Sequence, residues 1–224
     1  MHIRWMSALF SLILLVGCGA QARMVTTPAA EDPSARDDAP RGPHAASSAI
    51  AGSGTEDATA FTPAGAIVVD IVRGDLTGQG TSDAVVVFSP AVTGRPALGD
   101  GPARTVMLLT RDASGRLEIN AENARIVPCE HCGGIAGDPY AYARIEAGTL
   151  TVAVAGGSRQ RWFHDYTFRY APERTTWQLD QVVRGVTDAQ TGEQVQTKLT
   201  AAEFGAIGFA DFDPARLPPA PVLD

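Results

Sequence analysis

The stretch that decides the fold class runs Arg161-Trp162-Phe163-His164-Asp165-Tyr166-Thr167-Phe168-Arg169-Tyr170. From its second residue onward, every other position carries a ring: Trp162, His164, Tyr166, Phe168 and Tyr170. Side chains alternate between the two faces of a β-strand, whereas a helix repeats about every 3.6 residues. Strict alternation over the whole stretch therefore predicts a strand and not a helix.

Apolar or alternating segments on both sides of this stretch predict further strands. They cover residues 67–72, 84–88, 105–110, 116–119, 142–146, 149–155, 176–186 and 194–199, with a short helical turn at 201–204. The runs at 84–88 and 105–110 are continuously apolar, which indicates central strands buried on both faces. Turn residues separate neighbouring segments, so we expect hairpins. The pattern predicts an all-β domain, mainly of antiparallel hairpins, forming one twisted sheet or a sandwich.

The rest of the chain divides into a leader, a tether and a tail. Residues 1–17 carry one cation, Arg4, followed by a short apolar run, as secretory signals do. That run is too short to span a bilayer as a stable helix. Residues 18–62 are rich in proline, alanine and acidic residues, so we expect a disordered tether. We then expect the β domain at 63–214, long enough for one core, and a flexible tail at 215–224.

The charge balance excludes one class of partner. Removing residues 1–17 removes Arg4, which leaves 17 cations against 25 acidic residues, a net charge of −8. That acidity argues against nucleic acid as a partner.

The sequence has no Gly-x-Ser-x-Gly elbow, no His-Glu-x-x-His motif and no P-loop, so we expect a protein that is not an enzyme. Asp138 and Asp165 are the carboxylates that an alternative hydrolase would use, although their spacing does not select them.

The end of the leader reads Leu15-Val16-Gly17-Cys18, which resembles a bacterial lipobox. In that family the chain is cut before the cysteine, and the thiol carries the lipid. The resemblance implies that Cys18 anchors the mature protein in the membrane of the cell envelope. Lipoproteins of this kind are sorted by the residue after the cysteine. Gly19 stands there instead of an aspartate, which implies the outer membrane, with the domain facing the periplasm. The alternative is an ordinary secretory signal with a chance cysteine.

Two further cysteines, Cys129 and Cys132, lie close together in the expected domain. In an exported protein a disulfide between them is the default expectation. A redox dithiol is a second possibility, but Pro128 before the pair and the glycines after it do not suit a helix start. A zinc site is a third, and it would need His131 and His164 as further ligands. Free thiols are the fourth.

The connection from Asp75 to Asp83 resembles the calcium loop of FG-GAP and VCBS repeats, Asp-x-Asp/Asn-x-Asp-Gly-x-x-Asp. Asp75 and Asp83 fill the first and last ligand positions. Thr77 and Gln79 stand where carboxylates belong, so two anionic ligands remain for a hard cation. The resemblance implies a single degenerate loop, which is either a weak calcium site or a metal-free turn that keeps the loop's shape.

The ring-bearing face of residues 161–170 also has two interpretations. Trp162, His164 and Tyr166, flanked by Arg159 and Arg161, would make a stacking platform for a sugar or a peptide. The same rings would otherwise fill the core, because aromatic side chains dominate protein interiors. The sequence favours the core and leaves the platform as a candidate ligand site.

The run from residue 67 to 199 is similar to a group of bacterial envelope proteins. Its members share a Cys-x-x-Cys-Gly-Gly element, a Gly-Asp-Pro-aromatic turn, a Gly-Gly-Ser break and an Arg-Trp strand that ends Phe-Arg-Tyr. The matching residues here begin at Cys129, Gly137, Gly156, Arg161 and Phe168. The resemblance implies a shared fold and carries no activity. We therefore expect a lipid-anchored, non-enzymatic binding or structural module for an envelope protein or glycan, with a carboxylate hydrolase or a weak calcium-binding module as alternatives.

Overall fold

Two antiparallel sheets build the domain in the computed structural model, which describes residues 57–94 and 96–223. The first sheet has the order β1 (Ile67–Gly74), β2 (Asp83–Ser89), β3 (Arg104–Arg111) and β4 (Leu117–Val127). The second has the order β5 (Tyr140–Glu146), β6 (Thr149–Gly157), β7 (Gln160–Ala171), β8 (Thr176–Asp188) and β9 (Gln194–Thr200). Each strand pairs with its neighbour in sequence, so both sheets are meanders. One short helix, α1 (Ala201–Phe204), follows β9.

The all-β, sandwich-like class predicted from the sequence is confirmed, as are the nine strands and the helical turn. The largest difference lies in β4, which continues to Val127 where the sequence pattern indicates an end near residue 119. Its second half carries Asn120, Glu122, Asn123 and Arg125, and asparagine and, less strongly, glutamate are depleted in strands. Pairing with β3 and burial of Asn123 keep this half extended.

One core lies between the two sheets. Val85, Val87 and Leu108 of the first sheet pack in the same cluster as side chains of β6 to β8. A second cluster lies on the other face of the first sheet, where Ala58 in the 3-10 turn Ala58–Phe61 is fully buried. The two clusters explain why β2 and β3 are continuously apolar, because both faces of these strands are covered.

The C-terminal segment of residues 205–219, here called the strap, crosses the sandwich between β4 and β8. Asn123 donates from its Nδ2 to the carbonyls of Phe209 and Phe212, at 2.6 and 2.8 Å. Both phenylalanine rings are fully buried and stack edge-on against Phe168 of β7. The strap therefore supplies part of the core and is tied to it by side-chain hydrogen bonds.

These contacts correct the expected domain limits at both ends. Ala58 lies before the expected start at residue 63, and Leu217, 9% exposed, lies after the expected end at 214. The expected tail of residues 215–224 thus begins with a residue of the core. The signal peptide at 1–17, Cys18 and the tether up to residue 56 lie outside the described residues. Within 57–94 and 96–223, no helix is long and apolar enough to cross a membrane.

Replacing Leu217 with alanine tests whether the strap belongs to the folded core. We expect the free energy of unfolding to fall by about 2 kcal/mol, because a buried leucine side chain is removed from the core. Val222→Ala is the matched control, since Val222 is 77% exposed and its loss should change stability by less than about 0.5 kcal/mol. Urea denaturation measures both. Equal, small effects of Leu217→Ala and Val222→Ala on stability would show that residues 215–224 are a tail and not part of the core.

Candidate functional site

The two carboxylates of the loop between β1 and β2, Asp75 and Asp83, accept hydrogen bonds from backbone N–H groups of the loop and of β3. Asp75 accepts the backbone N–H of Gln79 at 3.0 Å on one oxygen and that of Gly80 at 2.7 Å on the other. Asp83 accepts the N–H of Leu76 on one oxygen and that of Arg111 on the other, both at 3.1 Å. Every carboxylate oxygen in the loop therefore already faces a hydrogen-bond donor.

This donor set does not fit a calcium ion. A hard cation needs six or more oxygen ligands, and N–H groups directed at the carboxylates oppose it. Thr77 donates its hydroxyl towards Asp75 at 3.5 Å, and Gln79 uses its backbone in the same way. Among the residues that the structure describes, no group of three or more His, Cys, Asp or Glu side chains is placed to hold a metal.

The two carboxylates of the loop have opposite pKa shifts. Burial raises the pKa of Asp83, which is fully buried. Burial also acts against ionisation of Asp75, but the N–H groups of Gly80 and Gln79 outweigh it and lower its pKa. The ionised Asp75 thus holds the turn together, while Asp83 is the group whose charge is costly to bury.

The same loop joins the two sheets. Leu76 is fully buried, and its carbonyl accepts the indole N–H of Trp177 in β8 at 2.9 Å. The carbonyl of Asp75 accepts the N–H of Gly148, in the turn between β5 and β6, at 3.0 Å. The connection that resembles a calcium loop therefore acts as a structural joint between the first and second sheets.

Cys129 and Cys132 form a disulfide just after β4, with an S–S distance of 2.09 Å. Cys129 is 3% exposed, whereas Cys132 is partly exposed. The 3-10 turn Gly134–Ala136 that follows is three residues long, so the pair does not sit at the start of a helix. The disulfide loop also holds the connection between β2 and β3, because the carbonyl of His131 accepts the N–H of Gly99 at 2.8 Å.

The ring-bearing face of β7 is turned towards the core. Tyr166 and Phe168 are buried, and Trp162 packs against the same cluster. Arg161 lies on the opposite face of the strand, and Arg159 pairs with Asp188 at 2.7 Å. The flat exposed platform considered from the sequence is therefore corrected, because the second sheet presents this face to the first.

At one end of this face the packing leaves an open cleft of about 270 Å³. We call it the aromatic cleft. The ring row of β7 forms one wall, the end of β4 with Arg125 and Ile126 another, and Pro214 and Ala215 of the strap the third. Gly156 makes room for the indole of Trp162, because a Cβ there would lie 2.5 Å from that ring. Trp162, His164 and Tyr166 are thus brought together, without Arg159 or Arg161.

His164 is one of the polar groups in the wall of the aromatic cleft, with Arg125 and Tyr166. Its Nδ1 lies 3.0 Å from the hydroxyl oxygen of Tyr166, which is 2% exposed. A buried tyrosine hydroxyl needs an acceptor, so we assign the hydrogen to the tyrosine and Nδ1 as its acceptor. The imidazole then carries its own hydrogen on Nε2. Burial, and secondly the charge of Arg184, lower the pKa of His164 to about 4, and burial raises the pKa of Tyr166.

Arg184 in β8 lies directly across the strand pair from His164. It is 4% exposed, and its Nη2 donates to the carbonyls of Pro218 and Pro219 at 2.5 and 3.3 Å. Its Nε is buried with no hydrogen-bond partner among the described residues. Sequence reasoning missed Arg125, Arg184 and the strap, because no motif marks them and they meet β7 only through the fold.

The two carboxylates suggested for a hydrolase are not arranged as a pair. Asp138 forms a two-pronged ion pair with the guanidinium of Arg104 in β3, at 2.5 and 2.7 Å. Arg104 is 2% exposed, and together with the N–H of Tyr140 it lowers the pKa of Asp138 against the effect of burial. Asp165 lies on the outer face of β7, opposite Ala153 of β6. Asp138 therefore links the two sheets rather than working with Asp165.

The protonation of His164 predicts how stability depends on pH. The folded protein resists protonating His164 down to about pH 4, whereas an unfolded histidine takes up its proton near pH 6.5. The unfolded state therefore binds more protons in this window, and stability falls as the pH falls. From pH 7 to pH 5 we expect a loss of about 2 kcal/mol from this residue.

His164→Asn tests this, because the asparagine oxygen keeps an acceptor for Tyr166 but does not titrate. Urea denaturation at pH 7 and pH 5 should show a smaller pH-dependent loss in this variant than in the wild type. Gln196→Asn is the matched control, since Gln196 is an exposed, uncharged residue of β9, and it should keep the wild-type dependence. An unchanged dependence in His164→Asn would contradict the burial of a neutral imidazole.

Comparisons with known proteins give no match for this chain: no family model, no curated protein and no solved structure is significantly similar to it.

Proposed function

We propose that this protein is a lipid-anchored binding module of the bacterial cell envelope and that its ligand site is the aromatic cleft. The observation that carries the proposal is the cleft itself, an open volume of about 270 Å³ walled by Trp162 and His164. Ligand sites in proteins are typically concave and mostly apolar, with a few polar groups that orient the ligand. The cleft has this character at the edge of the sandwich.

The N-terminal sequence supports the anchored location. Leu15-Val16-Gly17-Cys18 resembles a lipobox, and residues 19–57 separate Cys18 from the first element of the domain at Ala58. A domain tethered in this way is confined to a thin layer above the membrane, which raises its effective concentration for partners there. Gly19 favours the outer membrane with the domain in the periplasm. An anchored position suits a protein that captures or presents a ligand.

The lining of the cleft favours binding over catalysis. A nucleophile needs a neighbouring base within hydrogen-bond reach. The described residues that line the cleft include no serine, threonine, cysteine or carboxylate, and the hydroxyl of Tyr166 is bonded to His164. Outside the cleft, Asp138 is committed to Arg104, and Asp75 and Asp83 to backbone N–H groups. Because these carboxylates are already hydrogen-bonded or ion-paired, they support a module that binds its ligand rather than one that catalyses a reaction on it.

Site-specific photo-crosslinking in native envelopes tests the proposal. A photoreactive phenylalanine analogue replaces Ala215, an exposed residue of the cleft wall, in the full lipid-anchored chain. We expect a discrete crosslinked product that disappears when Trp162→Ala is added. Phe163→Ala is the matched control, because it removes a ring from the opposite face of β7 and should leave the product unchanged.

A second position controls for random capture. Ser114, in the exposed turn between β3 and β4, should give no such product. The same products from residues 114 and 215, or products from 215 that survive Trp162→Ala, would contradict a ligand site in the cleft. Turnover of peptidoglycan or ester substrates by the purified protein, lost in Asp165→Asn, would favour a carboxylate hydrolase instead.

A further inference from the structure

Resting on the proposed function, we propose that the aromatic cleft binds a small organic anion: an apolar ring or branched chain that ends in a carboxylate. The size of the cleft supports the apolar part. A buried apolar cavity of about 150 Å³ is enough to hold benzene. The aromatic cleft offers about 270 Å³, which leaves room for a ring with a short acidic side chain.

The walls that would contact the apolar body are hydrocarbon. Ile126 and Val154 are 1% and 2% exposed, and Pro128 lies beside them in the lining. The indole of Trp162 lies 5.2 Å from the imidazole of His164, measured between ring centres, so the two rings form one continuous edge. A ligand ring could pack on this surface and remove both the hydrocarbon and its own apolar area from water.

The polar groups of the cleft are donors. His164 carries its hydrogen on Nε2, since its Nδ1 accepts from Tyr166, and no described residue accepts from Nε2. Arg125 stands at the exposed rim, where its Nη2 donates to the carbonyl of Ala210 at 2.6 Å. The other nitrogens of this guanidinium have no hydrogen bond to the described residues. A neutral donor inside the cleft and a charged donor at its rim are the kinds of group that bind a carboxylate.

The surrounding charge also favours an anion. The described lining of the cleft contains Arg125 and no acidic residue, in a chain of net charge −7. Arg184 lies across the strand pair from His164, and its buried Nε lacks a partner among the described residues. A buried guanidinium without a carboxylate beside it leaves positive potential behind this wall. The cleft is therefore a locally cationic site on an acidic protein.

The same lining argues against a neutral sugar. Each hydroxyl of a sugar needs both a donor and an acceptor, which asparagine, aspartate and related side chains usually supply in binding sites. The described lining has none of these side chains, and its histidine and arginine act as donors. A neutral glycan would leave several buried hydroxyl groups unsatisfied. A carboxylate, which only accepts, leaves none.

A titration with matched probes tests the ligand class. The full chain, purified in detergent, is labelled with fluorotryptophan, and phenylacetate is compared with phenylacetamide, which has the same ring but no charge. Phenylacetate should shift the fluorine signal of Trp162, assigned by Trp162→Phe. Trp177, fully buried and bonded to Leu76, is an internal reference that should not move. We expect the amide to bind about tenfold more weakly, because a charge-assisted hydrogen bond is lost.

Three variants identify the groups responsible. Arg125→Gln should weaken phenylacetate binding by about tenfold and amide binding less, because it removes the positive charge at the rim. His164→Phe should weaken the binding of both probes, because it removes the Nε2 donor that an oxygen of either probe would accept. Arg161→Gln is the matched control, since it removes the same charge from the opposite face of β7 and should have no effect. An unshifted Trp177 signal in each variant shows that the fold is retained.

The outcomes separate this inference from the proposed function. If acid and amide bind equally, or if neither shifts Trp162, the anion proposal is overturned, while a crosslink from residue 215 that depends on Trp162 would still support a binding module. If neither the crosslink nor the shift is seen, both proposals fail. A shift that survives both Arg125→Gln and His164→Phe would place the carboxylate elsewhere and overturn this assignment.

Discussion

The contact between the two sheets depends on the carboxylate of Asp83, which is buried in a place where burying a charge costs free energy. Asp83 is fully buried, and its two oxygens receive the backbone N–H groups of Leu76 and Arg111. These bonds fix the β1–β2 connection against β3. The fixed connection then presents the carbonyls of Asp75 and Leu76 to Gly148 and to the indole of Trp177 in the second sheet. A buried charge is stable only when its hydrogen bonds are complete. Loss of these bonds would therefore destabilise both the loop and the contact between the sheets.

The strap closes the sandwich between β4 and β8, and the aromatic cleft follows from how the strap is held. Asn123 and Arg125 of β4 donate to carbonyls of residues 209–212, and Arg184 of β8 donates to Pro218 and Pro219. The phenylalanines of the strap fill the core beside Phe168. They do not reach the end of β7, so Trp162 and His164 remain at an opening instead of a packed interior. The same arginines that hold the strap give this opening its positive charge.

Much of the fold could be predicted from the sequence, because period-two patterns and turn residues act locally. The strand at 161–170 and the buried strands at 84–88 and 105–110 are examples. The second half of β4 could not be predicted, since its polar residues are kept extended by β3 and by burial of Asn123. The strap could not either, because a proline-rich segment shows no periodicity. The rings of β7 were visible as a candidate site, but Arg125 and Arg184 reach them only through long-range packing.

The central claim is that Asp83, through its hydrogen bonds, organises the joint between the sheets. Asp83→Asn tests it most directly, compared by urea denaturation with Asp112→Asn. Asp112 also accepts backbone N–H groups, those of Ser114 and Arg116 at 2.8 and 2.9 Å, but in an exposed turn that joins nothing else. The account predicts a loss of at least about 2 kcal/mol for Asp83→Asn, because an amide group would face a buried N–H, and less than about 1 kcal/mol for Asp112→Asn. Equal, small losses in the two variants would contradict it.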